Sequence, residues 1–241
     1  MPLSSAQRTP SRPDANERNK AAWDELYGST SRFIWGSQPV GFLADYVARL
    51  PAIGPADRVL DAAAGEGRNL ALLGSLGGQL HACDASANAL RKIPSEMRAN
   101  VEIATCDLNA LPYPDGYFRC VLLSDVIETL PDPEPALAEV ARVLATGGAL
   151  LCNIPGMEDG IAGEWMEPAG GQYFLYRGRY CYHFLNERAG RSLLERHRLD
   201  VQWAELCSWR EKAHPKFRPS GHRHKSRIYL ATRLAGGPRR K

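Results

Sequence analysis

Apolar and polar positions along the chain follow two rhythms. Over 14–27 the rhythm is helical, with Ala21, Ala22, Trp23, Leu26 and Tyr27 on one stripe. A second helical stripe over 39–50 carries Val40, Leu43, Val47 and Leu50, and an apolar knot (Phe33, Ile34, Trp35) lies between the two. From 58 onward short apolar runs alternate with helical stretches. Strands are predicted at 58–61, 79–83, 101–105, 118–124 and 149–154, with helices at 67–76, after Ser86, and at 134–144. Ser86 suits a helix N-cap, Pro94 bends or ends that helix, and Thr146-Gly147-Gly148 suits a C-cap. The run Cys120-Val121-Leu122-Leu123 is apolar on both faces, as a central parallel strand requires. Later come a helix at 186–197 and strands at 201–208 and 226–232, the two strands separated by a long basic loop.

This alternation predicts an α/β fold: a Rossmann-like, doubly wound, seven-stranded and mostly parallel sheet behind an N-terminal helical preface. The expected organisation is a disordered stretch at 1–13, a helical cap at 14–55, a main domain at 56–235 and a basic tail at 236–241. Within the main domain, 156–182 reads as an insertion rich in glycine and aromatics, including Trp165, Tyr173, Phe174, Tyr176, Tyr180 and Tyr182.

Composition changes this picture little. At 44% hydrophobic and 24% charged over 241 residues the chain reads as an ordinary globular protein. No apolar run approaches the ~18 residues of a membrane span, and the polar N-terminus lacks the apolar core of a secretory signal, so a cytoplasmic protein is expected. The six cysteines form no CxxC pair and fall mostly in strands, which suits reduced, buried thiols. Charge is more telling: ten Lys or Arg and no acid follow Glu211, so the first 211 residues carry net −7 against +3 for the whole chain. Such a basic arm suits either a solvated strand and terminus or contact with nucleic acid.

The chemistry converges on strand ends. Asp61, Asp84 and Asp107 each close one of the first three strands, the edge at which open α/β sheets hold ligands. Ala62 to Gly67 form a small-residue turn that lets a ligand approach the backbone. Asp84 stands where an acid accepts from ribose hydroxyls, and Asp107 where one accepts from the amine of a base, with Leu108 beside the ring. Glu66 places negative charge where a pyrophosphate would approach, which disfavours a dinucleotide and suits a phosphate-free ligand with an ammonium group.

Together these motifs resemble class I S-adenosylmethionine-dependent methyltransferases, over 59–154. Val59-Leu-Asp-Ala-Ala-Ala-Gly-Glu-Gly67 resembles the family's first motif, with Ala63 where a glycine is usual. Cys83-Asp84-Ala85-Ser86 resembles the ribose motif and Cys106-Asp107-Leu108 the adenine motif. Ser124-Asp125-Val126-Ile127-Glu128-Thr129-Leu130-Pro131-Asp132-Pro133 resembles the segment that closes over methionine, with Thr129 where relatives often carry His. Arg142-Val-Leu-Ala-Thr-Gly-Gly148 resembles the turn before the fifth strand. In the preface, Trp23-Asp-Glu-Leu-Tyr27 and Ile34-Trp35-Gly36-Ser-Gln-Pro39 are similar to tellurite-resistance and thiopurine-type small-molecule methyltransferases.

The resemblance implies a cofactor, S-adenosylmethionine, held by Trp35, Asp61, Ala63, Gly65, Gly67, Asp84, Ala85, Asp107, Leu108 and Ser124. It implies methyl transfer to a small-molecule O, N, S or C nucleophile, with the 156–182 insertion as substrate lid. Asp125, Glu128 and His183 are the candidates for a general base, His183 being the one selected. No metal is expected, because His214, His222 and His224 match no standard ligand spacing. Two alternatives stay open: an RNA methyltransferase using the basic C-terminal arm, and a cofactor-binding regulatory protein without turnover.

Overall fold

The structure, a computed structural model, describes residues 12–163, 165–170, 173–214 and 216–235. The stretches 1–11 and 236–241, which include the expected basic tail and most of the expected disordered terminus, lie outside the described residues.

The preface supplies α1 (Arg12–Gly28) and a short α2 (Leu43–Val47). Arg12 and Pro13, placed in the disordered terminus by the sequence reading, begin α1. The buried stripe of α1 is Asn19, Ala22, Leu26 and Tyr27, while Ala21 faces solvent. The second stripe yields one full helical turn flanked by looser turns. Its anchors, Val40, Phe42, Leu43 and Tyr46, are nonetheless buried against the sheet cluster of Val59, Leu122 and Trp209.

The chain then runs β1 (Arg58–Ala62), α3 (Leu70–Gly74), β2 (Gln79–Asp84), α4 (Ala87–Leu90), α5 (Ser95–Arg98), β3 (Val101–Thr105), β4 (Phe118–Leu123), a 3-10 turn at Ile127–Thr129, α6 (Glu134–Val143) and β5 (Leu144–Pro155). Ser86 caps α4 as its position implies, its side chain accepting from the Ala89 N–H at 3.0 Å. The insertion folds into β6 (Met166–Pro168), β7 (Tyr173–Tyr176) and β8 (Tyr180–His183), a separate antiparallel sheet in the order β6-β7-β8. Then come α7 (Glu187–Arg196), β9 (Leu199–Glu211) and β10 (His222–Arg233). Asn186 caps α7 through its side-chain oxygen and the Ala189 N–H at 2.9 Å.

The main sheet has seven strands in the order β3-β2-β1-β4-β5-β10-β9. β1 to β5 pair in parallel, and β10 lies antiparallel between β5 and β9. The expected doubly wound sheet is therefore present. β4 and β5 bury both faces, one against Leu137, Val140 and Leu194, the other against Leu70, Leu73 and Ile228.

Two local expectations differ from the structure. α6 passes directly into β5 at Leu144, already extended at φ −69° and ψ 134°, so Thr146-Gly147-Gly148 lies inside the strand and caps nothing. There Gly147 takes φ +75°, opposite a register shift between Phe118 and Cys120. β9 and β10 are also much longer than expected. Their pairing extends to Glu211 and His222 and shortens the long basic loop to 212–221. The added lengths of both strands are polar and largely half-buried or exposed, so no apolar run marks them.

Candidate functional site

The loops after β1, β2, β3 and β4 open together at the carboxyl edge of the parallel strands, into a cavity of about 1390 Å³ counting its open mouth. Trp35, Ala63, Gly65, Asp84, Ala85, Asp107, Leu108 and Ser124 line it, as the sequence reading expects. Asp61 and Gly67 do not line it and stand behind the turn.

The turn after β1 is built on unusual backbone. Gly65 takes φ +55° and Gly67 φ +80°, and Ala63, where the motif it resembles usually has glycine, takes φ +59°. That left-handed conformation costs a non-glycine residue roughly 1 kcal/mol or more, so the alanine is held by its surroundings. A Cβ on Gly65 would sit 2.9 Å from the Tyr27 hydroxyl, and one on Gly67 2.8 Å from Leu70 and 3.0 Å from Ile93. Gly67 thus packs the turn onto the helical layer.

Asp84 locks the turn. Its Oδ2 accepts from the Gly65 N–H and its Oδ1 from the Ser86 N–H, both at 2.8 Å. A carboxylate has about four lone-pair positions, and the Ala85 N–H also bonds this one, so acceptor capacity remains for a ligand hydroxyl. Burial pushes Asp84 up to about 6 despite those backbone bonds. Behind it, burial and the Asp84 charge push Asp61 up to about 8, and its Oδ2 is buried without a hydrogen-bond partner among the described residues. Burial under the turn therefore favours the protonated form of Asp61. The open acceptor positions on Asp84, the small-residue turn and the apolar Leu108 fit an adenosine-type cofactor with a compact sulfonium end.

Two expected roles change. Glu66 does not face the cavity as a free charge awaiting an ammonium group. It is buried, accepts from the Ile34 N–H at 2.9 and 2.8 Å and the Trp35 N–H at 3.0 Å, and pairs with Lys92 at 2.8 Å. Its carboxylate ties the preface to the turn. Asp107 is engaged as well: Lys20 of α1 meets its Oδ2 at 2.8 Å and the Asn109 N–H its Oδ1 at 2.9 Å. The contacts with Glu66 and Lys20 join positions far apart in sequence.

The preface lies against the same cavity. Asn19 donates to the Thr129 carbonyl at 2.8 Å and accepts from the Cys181 N–H at 3.2 Å, while Asp24 takes the Ser86 hydroxyl at 2.6 Å. Trp35 donates from Nε1 to the Tyr27 hydroxyl at 2.8 Å, and its ring lies 4.7 Å from His214 and 5.1 Å from Phe217. With Trp23 and Tyr182 these rings form an aromatic wall.

His183 does not join this wall. It lines a different cavity, with Pro131, Asp132, Leu185 and Arg188, and is packed against Tyr173 at 5.6 Å. Its strand, β8, alternates sides, so Tyr182 faces the main cavity and its neighbour His183 does not. Asp125 and Glu128 do line the main cavity. Asp125 exchanges two hydrogen bonds with Asn153, at 2.8 and 2.7 Å. Burial, then the neighbouring Asp125, holds Glu128 well above the carboxylate range, and its Oε2 has no hydrogen-bond partner among the described residues.

The residues that sequence reasoning undervalued come from the β9–β10 hairpin. Glu211, His214, Phe217, Arg218, His222 and His224 all line the cavity. Arg68 pairs with Glu211 at 2.9 Å across its floor. The signal was in the sequence: His222-x-His224 alternates with Arg223, which places both rings on one face of a strand. Among the described residues no group of His, Cys, Asp or Glu could hold a metal ion.

Fold and cavity together define an α/β protein whose cavity at the carboxyl edge of a parallel sheet fits an adenosine-type ligand. The methyltransferase-domain family model matches residues 60–152, which contain that whole edge up to β5. A demethylmenaquinone methyltransferase of Renibacterium salmoninarum is 30% identical over 138 residues, covering 57% of this chain and 54% of that protein. A ubiquinone/menaquinone biosynthesis C-methyltransferase of Teredinibacter turnerae is 32% identical over 114 residues, covering 44% of this chain and 46% of that protein. The chain thus spans about half the length of these curated relatives. Among solved structures, a 1,6-didemethyltoxoflavin-N1-methyltransferase of Burkholderia thailandensis, with 1,6-didemethyltoxoflavin and S-adenosylhomocysteine bound, has a TM-score of 0.69 at 16% identity over 97% of this chain and 94% of that one. A methyltransferase of Haloferax volcanii, in complex with the Trm112 activator, has a TM-score of 0.64 at 16% identity over 91% of this chain and 99% of that one. At such identities the likeness is one of fold. Residues 60–152 thus resemble a methyltransferase domain, and the chain shares the fold of these methyltransferase structures.

Proposed function

We propose that the protein transfers the methyl group of S-adenosylmethionine to a small, flat organic acceptor. The observation that carries this reading is the cavity in which the strand-end loops meet an aromatic wall. In this reading Asp84 accepts from the ribose hydroxyls, Leu108 and Ala85 flank the adenine, and Asp107, sharing its oxygens with Lys20, faces the adenine amine. The backbone at Ala63 and Gly65, with Ser124, seats the methionyl end, and Trp35 lies over it. Asp61 and Gly67 act from behind, by shaping the turn. S-adenosylmethionine, when bound, supplies a sulfonium methyl that is already activated. The protein's share is then to position the acceptor and exclude water. The aromatic side chains do both, since Trp23, Trp35, Phe217 and Tyr182 present ring surface to a planar guest.

The likeness to tellurite-resistance and thiopurine-type enzymes rests on the preface motifs alone. A cytoplasmic location belongs to the same proposal and is supported by six free cysteines. Among the described residues no helix is long and apolar enough to cross a membrane.

The test is calorimetry with S-adenosylmethionine, followed by transfer of tritiated methyl to a panel of phenols, quinols and ring N-heterocycles, with RNA as a separate arm. Cofactor binding with label in a ring compound supports the reading. Label in RNA that declines steeply with salt supports the nucleic-acid alternative. Tight cofactor binding without transfer to any acceptor supports the regulatory one.

A further inference from the structure

Three histidines and one aspartate gather on the hairpin side of the cavity, and seating the methyl donor uses none of them. His222 and His224 share one face of β10, with Nε2 of one 3.0 Å from Nε2 of the other. His224 Nδ1 lies 3.3 Å from Asp159 Oδ2. Asp159 is buried and further fixed by the N–H groups of Ile161 and Lys225, each at 2.8 Å. Trp209 stacks on the His224 ring at 4.8 Å, so that ring is clamped from its face as well. At the other end, His222 Nδ1 is buried with no hydrogen-bond partner among the described residues. His222, His214 and His224 all line the cavity with the aromatic wall. The row therefore runs from a fixed carboxylate, through two rings in contact, to a buried nitrogen without a hydrogen-bond partner among the described residues.

Resting on the methyl-transfer reading, the geometry points to a proton relay. His222 Nδ1 takes the acceptor's proton, His222 passes its Nε2 proton to His224 Nε2, and Asp159 stabilises the imidazolium that results. The acceptor is thereby defined as one that keeps its proton in neutral water: a phenol-type hydroxyl, an enolisable ring carbon or a ring N–H.

The balance closes. The acceptor's X–H bond breaks, its electron pair forms the bond to the methyl carbon, and the carbon–sulfur pair stays on sulfur. The sulfonium becomes a neutral thioether, and the proton and its positive charge end on His224. His222 is the catalytic residue of the relay; His224 and Asp159 are positioning residues.

The surroundings favour proton storage at one end of the row. Burial lowers His224, but the Asp159 hydrogen bond and the charges of Asp125 and Glu211 outweigh it, and the ring ends above the usual histidine value. Burial, then the nearby His224, Arg218 and His214, lowers His222 to about 3. Burial lowers His214 to about 4, with Glu211 opposing and Arg68 assisting. Glu128, its carboxyl pushed up by burial and by Asp125, faces the same space from the 3-10 turn. A proton added to the pair thus resides on His224, so His222 is free to accept from a ligand only when His224 is neutral.

The test uses the whole protein, the panel acceptor that the wild type turns over fastest, and His222→Gln, with His224→Asn and Asp159→Asn as positioning variants. S-adenosylmethionine affinity should stay within about threefold in His222→Gln, while kcat/KM at pH 7.5 falls by about 10²- to 10⁴-fold. In the wild type kcat/KM should fall on the acid side as His224 takes its proton, and Asp159→Asn should move that fall to lower pH. Independently of activity, nitrogen NMR of the histidine rings should show His224 protonating before His222. Wild-type turnover with His222→Gln within threefold overturns the relay and leaves methyl transfer standing. So does a His222 ring that titrates first. Failure of the wild type to methylate any acceptor overturns the reading and the relay together.

Discussion

The buried carboxylate of Glu66 is expected to hold the preface on the sheet domain, and Glu66→Gln tests this. Glu66 accepts from two backbone N–H groups, those of Ile34 and Trp35, and pairs with Lys92, whose side chain is only 10% exposed. Glutamine keeps one acceptor oxygen, enough for one of the backbone bonds. The other bond and the ion pair are lost, and an amide N–H faces donors. Each charge-assisted hydrogen bond contributes about 1.5–3 kcal/mol, so two give roughly 3–6 kcal/mol. Breaking a buried pair from one side costs about 3–5 kcal/mol, which agrees. For a protein of this size the melting temperature should drop by about 6–24 °C. Urea denaturation gives the free energy, and a double-mutant cycle with Lys92→Met isolates the pair. Since Trp35 hangs on the same carboxylate, S-adenosylmethionine affinity should fall alongside stability. A loss below about 1 kcal/mol with no coupling to Lys92 would refute the assignment.

Asp84→Ala should weaken S-adenosylmethionine binding by about 1–3 kcal/mol by stranding the hydrogen-bonded hydroxyls, which calorimetry measures; unchanged affinity sinks the ribose assignment. Asp61, raised to about 8 in the folded state against a usual 3.8, binds its proton more tightly folded than unfolded. Its contribution to stability is full below about pH 4 and is lost as pH rises toward 8, at ~1.4 kcal/mol for each pH unit separating the folded and unfolded values. Asp61→Asn should therefore flatten the stability profile between pH 5 and 8, as followed by urea titrations, and a variant with wild-type slope contradicts the burial argument. Gly190→Ala puts a Cβ 2.4 Å from the buried Tyr229 hydroxyl and should destabilise by about 1–3 kcal/mol in thermal melts, a neutral result meaning that α7 is free to move aside.

The parts that were legible in sequence are those whose meaning is local. The turn from Asp61 to Gly67, the Ser86 cap and the apolar runs of β4 and β5 each declare their role within a few residues. What was not legible depends on contacts across the chain. Glu66 sits 32 residues from Ile34 and 26 from Lys92, so its carboxylate read as a ligand charge when it is a tether. His183 read as a cavity residue, but a strand's alternation gives that face to Tyr182. His222 and His224 were weighed against metal-ligand spacings, whereas their partner Asp159 comes from the insertion and joins them only through the fold. Ala63 is the reverse case. The missing glycine was visible, but the positive φ imposed on the alanine is fixed only by the closed turn.

The position of β10 between β5 and β9 also bears on how the protein is made. A ribosome delivers β5 long before β10, and until 222–233 emerge β5 is an open edge with a run of buried-type residues, Ala149 to Ile154. The nascent chain therefore carries a sticky, half-finished sheet through the synthesis of the insertion, α7 and β9. The strand that finally slots in brings His222 and His224 with it. Completion of the sheet and arrival of the acceptor-side histidines are then one event, so a chain stalled short of it has the donor loops of the sheet domain but no wall to aim an acceptor against.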